Sequence, residues 1–261
     1  MIQKFNYHTH TYRCNHALGK DEEYIEAAIK LGLKTLGFSD HVPYPKDDGG
    51  HSRMKFKQLE EYLSTMNQLK EKYQSIIDIK IGFECEYFEE FDNYYRELRK
   101  HCDYLILGQH MGKISLNADY FYSFKEEDYI NYERLVIKGL ESGLFLYLCH
   151  PDVVLNSVSH IDDKMLGMFK RIFLIAKEKD IPIEINFGGL NKQQHLIDNE
   201  MAYPYPNYKI IKLANDLGCK FIYGADAHSP KHLEKFNERI LYVKENILKD
   251  MDYILVEDEL C

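Results

Sequence analysis

Nine side chains of metal-binding type stand at or near the ends of strand-like runs in this sequence: His8, His10, His16, His41, Glu84, His110, His150, Asp226 and His228. Imidazoles and carboxylates of this kind hold zinc, manganese, iron or cobalt. In His8-Thr9-His10 the two imidazoles lie two residues apart, so on a strand they point to one face and reach one ion or two adjacent ions. Glu84 ends an apolar run in Gly-Phe-Glu-Cys-Glu, where a carboxylate can bridge two ions; Glu86, on the same face, is the competing bridge. His110, His150 and Asp226-Ala227-His228 each close a further apolar run, and His41 extends the set to another, with Asp40 beside it as a turn cap or an outer acceptor that orients a ligand. Divalent ions in such a site leave it cationic, which suits a phosphate monoester better than a neutral amide. They also lower the pKa of water from about 16 toward 7, which makes hydroxide available near neutral pH for attack on phosphorus.

Something must bring residues so far apart in sequence to one place. Seven apolar runs read as strands, over residues 2–8, 34–40, 79–86, 103–109, 144–149, 181–187 and 220–225. Helical periodicity falls between and after them, over 21–32, 56–73, 91–101, 126–142, 163–180, 208–218 and 231–246, with Gly32, Gly143 and Gly218 where it stops. Strands alternating with helices imply a parallel sheet with crossover helices. Closing that sheet into a barrel gathers all C-terminal strand ends on one rim, and places the ligands of the first strand beside those of the last. The length of 261 residues fits one barrel domain spanning 1–261, with no linker or repeat dividing it.

Composition narrows the function classes. A formal net charge of −9 argues against extended nucleic-acid binding and for a small partner. No apolar run is long enough to span a membrane and the opening residues do not read as a signal peptide, so a cytoplasmic protein is expected. Cysteines 14, 85, 102, 149, 219 and 261 form no CxxC pair, which predicts reduced thiols rather than disulfides or a thiolate zinc site.

Taken in order, the pieces His8-Thr9-His10, His16 in Cys-Asn-His-Ala, Asp40-His41, Glu84, His110, His150-Pro151-Asp152 and Asp226-Ala227-His228 resemble the polymerase and histidinol phosphatase (PHP) family across almost the whole chain. The stretch from Cys14 to Pro45 and the segment Glu-Ile-Asn-Phe-Gly-Gly-Leu-Asn at 184–191 resemble its histidinol-phosphate phosphatase branch. The resemblance implies a distorted (β/α)7 TIM-like barrel with the metal site at the C-terminal strand ends. It implies three divalent ions (Zn, Mn, Fe or Co): one held by His8, His10, Glu84 and Asp226, a second by Glu84, His110 and His150, a third by His16, His41 and His228. It further implies a phosphomonoesterase that hydrolyses L-histidinol phosphate in histidine biosynthesis, with Glu84, Asp226 and His228 as the catalytic candidates. Other PHP phosphoesterases, acting on a nucleotide, an oligonucleotide end or phosphotyrosine, are the alternative within the class, and a non-catalytic metal-stabilised binding module is the alternative outside it.

Two departures from the branch bear on the substrate. Ala225 precedes Asp226 where the branch has serine, and Asn191 stands where it often has an anion-binding arginine. Arg96, Arg99, Arg134, Arg171 and Arg239 fall on helical segments remote in sequence from strand ends, which leaves Arg53 as the expected phosphate clamp and Arg13 as its alternative. Asp47, Asp48, Glu86 and Asp152, with Tyr44, Phe121 and His195, are candidates for the ammonium and imidazole of the substrate. The long loops 41–54 and 111–125 suggest a lid.

Overall fold

The computed structural model describes residues 3–45, 52–114 and 119–261. Strands β1 (Phe5–Asn6), β2 (Thr35–His41), β3 (Asp78–Cys85) and β4 (Tyr104–Leu107) pair in parallel in chain order. After β5 (Ile183–Asn186) comes a hairpin of β6 (His195–Ile197) and β7 (Glu200–Ala202); β8 (Lys220–Gly224) then pairs in parallel with β5, and β9 (Ile254–Leu255) with β8. Leu148 joins the two groups through parallel bridges to Leu107 and Ile183. At the opposite seam Thr9 bridges Ala227. Away from that bridge, side chains replace the ladder: Gln3 Nε2 donates to the Tyr223 carbonyl at 2.8 Å, and Asn6 Oδ1 accepts from Ala225 N at 2.8 Å. The result is an α/β fold whose parallel sheet is curled on itself.

Helices α1 (Asp21–Leu31), α2 (Leu59–Tyr73), α3 (Asp92–Leu98), α4 (Tyr129–Glu141), α5 (Asp163–Glu178), α6 (Tyr208–Asp216), α7 (Pro230–Glu234) and α8 (Phe236–Asn246) lie between or after the strands. Helix α5 shows why they form. Asp162 caps it by accepting from Met165 N at 2.7 Å, and Met165, Met168, Phe169, Ile172, Phe173 and Ala176 are buried at helical spacing. A core of aliphatic and aromatic side chains fills the space between helices and sheet. A second cluster, Phe5, Tyr7, Tyr104, Ile106, Tyr147, Cys149 and Ile222, draws on strand segments alone and so lies within the curl. Its centre is Tyr104, whose hydroxyl donates to the carbonyls of Tyr7 at 2.6 Å and Phe38 at 3.0 Å. Gly82 makes this possible, because a Cβ there would stand 2.6 Å from the Tyr104 ring. Val256 and Leu260, near the C-terminus, pack against the same cluster.

The elements depart from expectation in four places. Residues 144–149 form bridges rather than a strand, since their neighbours β4 and β5 are only four residues each. The expected helix over 231–246 breaks at Lys235, and the one over 91–101 keeps only α3. The β6–β7 hairpin was not anticipated; Asp198 and Asn199, both at positive φ, make the two-residue turn such hairpins favour. Asp47, Asp48 and parts of both proposed lid loops lie outside the described residues.

Candidate metal centre

The ends of the parallel strands, and the residues just past them, bring eight of the nine candidate ligands together, and His16, beyond the short turn Tyr12–Cys14, joins them beside His228. His41 and Glu84 are register partners across β2 and β3, so their side chains start side by side. Past β8 the backbone enters the left-handed region at Asp226, with φ 45, which costs an L residue and is maintained by the packing around it. Close packing also demands glycine: a Cβ at Gly108 would lie 2.2 Å from Glu84 Oε1, and one at Gly224 would lie 1.7 Å from Glu184 Oε1. Each glycine is the space its neighbouring carboxylate occupies.

Glu84 is the hub. Its Oε1 faces His150 Nε2 at 2.6 Å and His110 Nε2 at 3.3 Å. Its Oε2 faces His41 Nδ1 at 2.9 Å, His10 Nε2 at 3.5 Å and His8 Nε2 at 3.6 Å. The two oxygens therefore address two different groups of imidazoles. Asp226 Oδ1 stands 3.2 Å from His10 Nε2, 3.3 Å from His228 Nδ1 and 3.6 Å from His8 Nε2. The His228 ring stacks on His10 with centroids 4.1 Å apart and lies 4.5 Å from His16.

This arrangement fits cations better than it fits itself. His8 Nε2 and His10 Nε2 face each other at 3.2 Å, a pair of ring nitrogens that needs a proton or a cation to be favourable. Among the described residues Glu84 Oε2, Asp226 Oδ1 and His228 Nε2 are buried without a well-aligned hydrogen-bond partner, although buried polar atoms are nearly always paired. Ligand atoms of His8, Glu84 and His150, of His8, His10 and Asp226, and of His10, His41 and His228 each come within 4.8 Å of one another. Cys14 joins His16 and His228 in a further such group, a thiol that the absence of CxxC spacing concealed.

A layer of partners orients these groups. His8 Nδ1 is held by Glu184 Oε1 at 2.8 Å, and Glu184 Oε2 also accepts from Asn186 Nδ2 at 2.7 Å and His150 N at 3.2 Å. Thr11 Oγ1 hydrogen-bonds Asp40, which faces His10 Nδ1 at 3.7 Å. His110 Nδ1 meets Glu86 Oε1 at 3.2 Å. Carboxylates behind imidazoles fix ring orientation and raise ligand basicity. Burial opposes a proton on His10, yet the facing carboxylates of Asp226 and Asp40 lift its pKa to about 9; Glu84 and Glu86 lift His110 to about 9 in the same way. His41 is pushed down to about 3 by burial, and burial with the His10 charge pushes His228 well below the usual imidazole range. Glu84 lies well below the carboxylate range despite burial, because His110, His41, His8 and His150 surround it.

The remaining candidates are tied into the scaffold around the centre or away from it. Arg53 is buried and donates to both oxygens of Glu86, at 3.1 and 2.8 Å, and to the Val42 carbonyl at 3.0 Å. Arg13 is buried against Asp21 and Glu61, each by two hydrogen bonds. Tyr44 donates to Glu86, Asp152 Oδ2 accepts from Asn207 N at 2.7 Å, and His195 Nε2 meets the Val158 carbonyl at 3.1 Å. Sequence reading missed Glu184, whose only signal was a charge inside an apolar strand. It also missed Asp119, half-buried within electrostatic reach of His110.

The family model for the PHP domain matches residues 6–187. A probable histidinol-phosphatase of Deinococcus radiodurans is 28% identical over 231 residues, covering 85% of this chain and 85% of that protein. The histidinol-phosphatase of Bacillus subtilis is 31% identical over 262 residues, covering 87% of this chain and 94% of that protein. The crystal structure of histidinol phosphate phosphatase from Lactococcus lactis, complexed with zinc, L-histidinol and phosphate, shares the fold with a TM-score of 0.70 at 19% identity, covering 98% of this chain and 96% of that one.

Proposed function

The chain belongs to the PHP domain family, and from that premise we propose that it is a metal-dependent phosphomonoesterase that hydrolyses L-histidinol phosphate to L-histidinol and phosphate in histidine biosynthesis. The observation that carries the reading is Glu84, one buried carboxylate whose two oxygens face two groups of imidazoles. The names of the relatives and the length over which they match support the substrate. In this reading the curled sheet is a distorted (β/α)7 barrel, a single domain over 1–261, with its centre at the C-terminal strand ends. The enzyme works in the cytoplasm.

In this reading three divalent ions would be held, one by His8, His10, Glu84 and Asp226, one by Glu84, His110 and His150, and one by His16, His41 and His228. When bound, such ions supply Lewis acidity, which makes water a nucleophile near neutral pH and neutralises charge growing on the phosphoryl oxygens. The protein's part is placement. Glu84 ties two groups together, and Glu184 and the Arg53–Glu86 pair lock the rings of His8 and His110. Asp226 and His228 stand together at the rim, Asp226 Oδ1 3.3 Å from His228 Nδ1, and remain with Glu84 the catalytic candidates. Glu86 and Asp152 are engaged by the scaffold, and Asp119, bridged to Met111 next to His110, accepts from Phe121 N through Oδ1 at 2.8 Å and offers its other oxygen to the substrate ammonium.

Steady-state turnover of L-histidinol phosphate beside p-nitrophenyl phosphate, on protein of measured metal content, tests this directly. L-Histidinol phosphate should lead in kcat/KM by at least about a hundredfold, roughly 2.7 kcal/mol of differential transition-state binding. Equal efficiencies would remove the substrate assignment.

A further inference from the structure

The chain buries three arginines, and they are not alike. Arg13 lies against Asp21 and Glu61, and Arg53 against Glu86, each guanidinium forked onto carboxylate. Arg239, on α8, is 6% exposed and meets only neutral acceptors: Nη1 donates to the Phe187 carbonyl at 3.1 Å, and Nη2 to Asn191 Oδ1. Among the described residues no carboxylate lies within ion-pair distance of it. Neutral acceptors orient a guanidinium without cancelling its charge, and a buried cation without a counter-charge is costly.

The place is as telling as the pairing. Phe187 and Asn191 bracket the turn that leaves the C-terminal end of β5, and the intervening Gly188 is pressed against Asp226, since a Cβ there would lie 2.3 Å from Asp226 Oδ2. Glu238, its neighbour on α8, and Asp226 are the carboxylates within electrostatic reach of Arg239. His232, whose Nδ1 is buried without a partner among the described residues, feels both Arg239 and Asp226. Were Asp226 claimed by ions at the proposed centre, Glu238 would be left to balance the guanidinium at a distance longer than an ion pair.

Resting on the phosphatase reading above, we propose that Arg239, steadied by Asn191 and Phe187, is the phosphate anchor of this enzyme, reaching the rim from α8. Among the described residues only two of its five N–H donors are committed, which leaves a fork for phosphoryl oxygens. Arg53, by contrast, acts through Glu86 on His110.

The test compares inhibition by the two products, using p-nitrophenyl phosphate turnover as the reporter. In Arg239→Gln the inhibition constant for inorganic phosphate should rise about tenfold or more while that for L-histidinol, which carries no phosphate, stays within about twofold. Arg239→Lys, which keeps the charge but not the fork, should fall between them. A merely structural role would move both constants together or neither, and either result overturns the proposal. Metal content and melting temperature of both variants identify a folding defect; should Gln misfold, Lys alone decides, since an unchanged phosphate constant there overturns the anchor. Wild-type turnover of L-histidinol phosphate, measured separately, tests the substrate reading without touching this one.

Discussion

The inner face of the curled sheet and its rim draw on the same strands a few residues apart, yet they are built by opposite rules. β1 and the residues after it supply Phe5 and Tyr7 within, then His8 and His10 at the rim; β4 leads from Tyr104 and Ile106 to His110; Tyr147 and Cys149 lead to His150; Ile222 leads to Asp226. The inner cluster is complete in itself: apolar surface is buried and the Tyr104 hydroxyl finds two carbonyls. At the rim, Glu84 Oε2, Asp226 Oδ1 and His228 Nε2 are left without well-aligned hydrogen bonds among the described residues, so its stability waits on something added. The contrast teaches that stability and chemistry are kept in separate layers of one sheet.

Removing ions should strike the rim alone, and it is the harshest test of the contrast. Chelation is expected to abolish phosphatase activity and added Mn or Zn to restore it, while far-ultraviolet circular dichroism stays native at moderate temperature; full turnover in exhaustively metal-free protein would break the scheme. Glu84→Gln should cost at least about a thousandfold in kcat, about 4 kcal/mol of barrier, and more than loss of any single terminal histidine. Normal rate and metal content in that variant would shift the bridge to Glu86.

Tyr104→Ala is the mirror experiment. It empties a buried ring site and should lower unfolding free energy by about 3–5 kcal/mol in urea titration, with metal content unchanged below the transition. Loss of ions from the folded variant would show that the layers are coupled after all.

A pH series sharpens the comparison at smaller amplitude. In metal-free protein His10 and His110 titrate at about 9, above the usual imidazole value, so the stability they contribute is fully present below about pH 6.5 and lost as pH rises toward 9. Ions require the deprotonated rings and bind more strongly over the same interval. The gap in melting temperature between metal-loaded and metal-free protein should therefore widen from pH 6.5 to 9, as calorimetry would show. A gap that narrows contradicts the charge arrangement.

The smallest effect concerns selectivity. Asp119→Asn should raise KM for L-histidinol phosphate about tenfold and leave p-nitrophenyl phosphate within about twofold, because only the former carries an ammonium. Equal changes on both esters would move the ammonium contact elsewhere.

The sequence by itself determined which residue types end the strands, because apolar runs closing on His8, His41, Glu84 and His150 are visible without coordinates. It also determined the α/β class, since alternating periodicities leave few other ways to bury both sets of apolar faces. What it could not weigh was partnership across the fold. Glu84 and Glu86 share a face on paper; only the packed structure sets Glu84 among five imidazoles and Glu86 against Arg53 and Tyr44. Gly108 and Gly224 read as strand-end glycines until a carboxylate is seen to fill the space beside each. Arg239 reads as a helix residue remote from every strand end, yet α8 folds back to lay its guanidinium against the turn after β5. Local periodicity is carried by neighbouring residues and is legible one segment at a time, whereas charge pairing and close approach depend on residues tens to hundreds of positions apart, which only tertiary packing brings within ångströms.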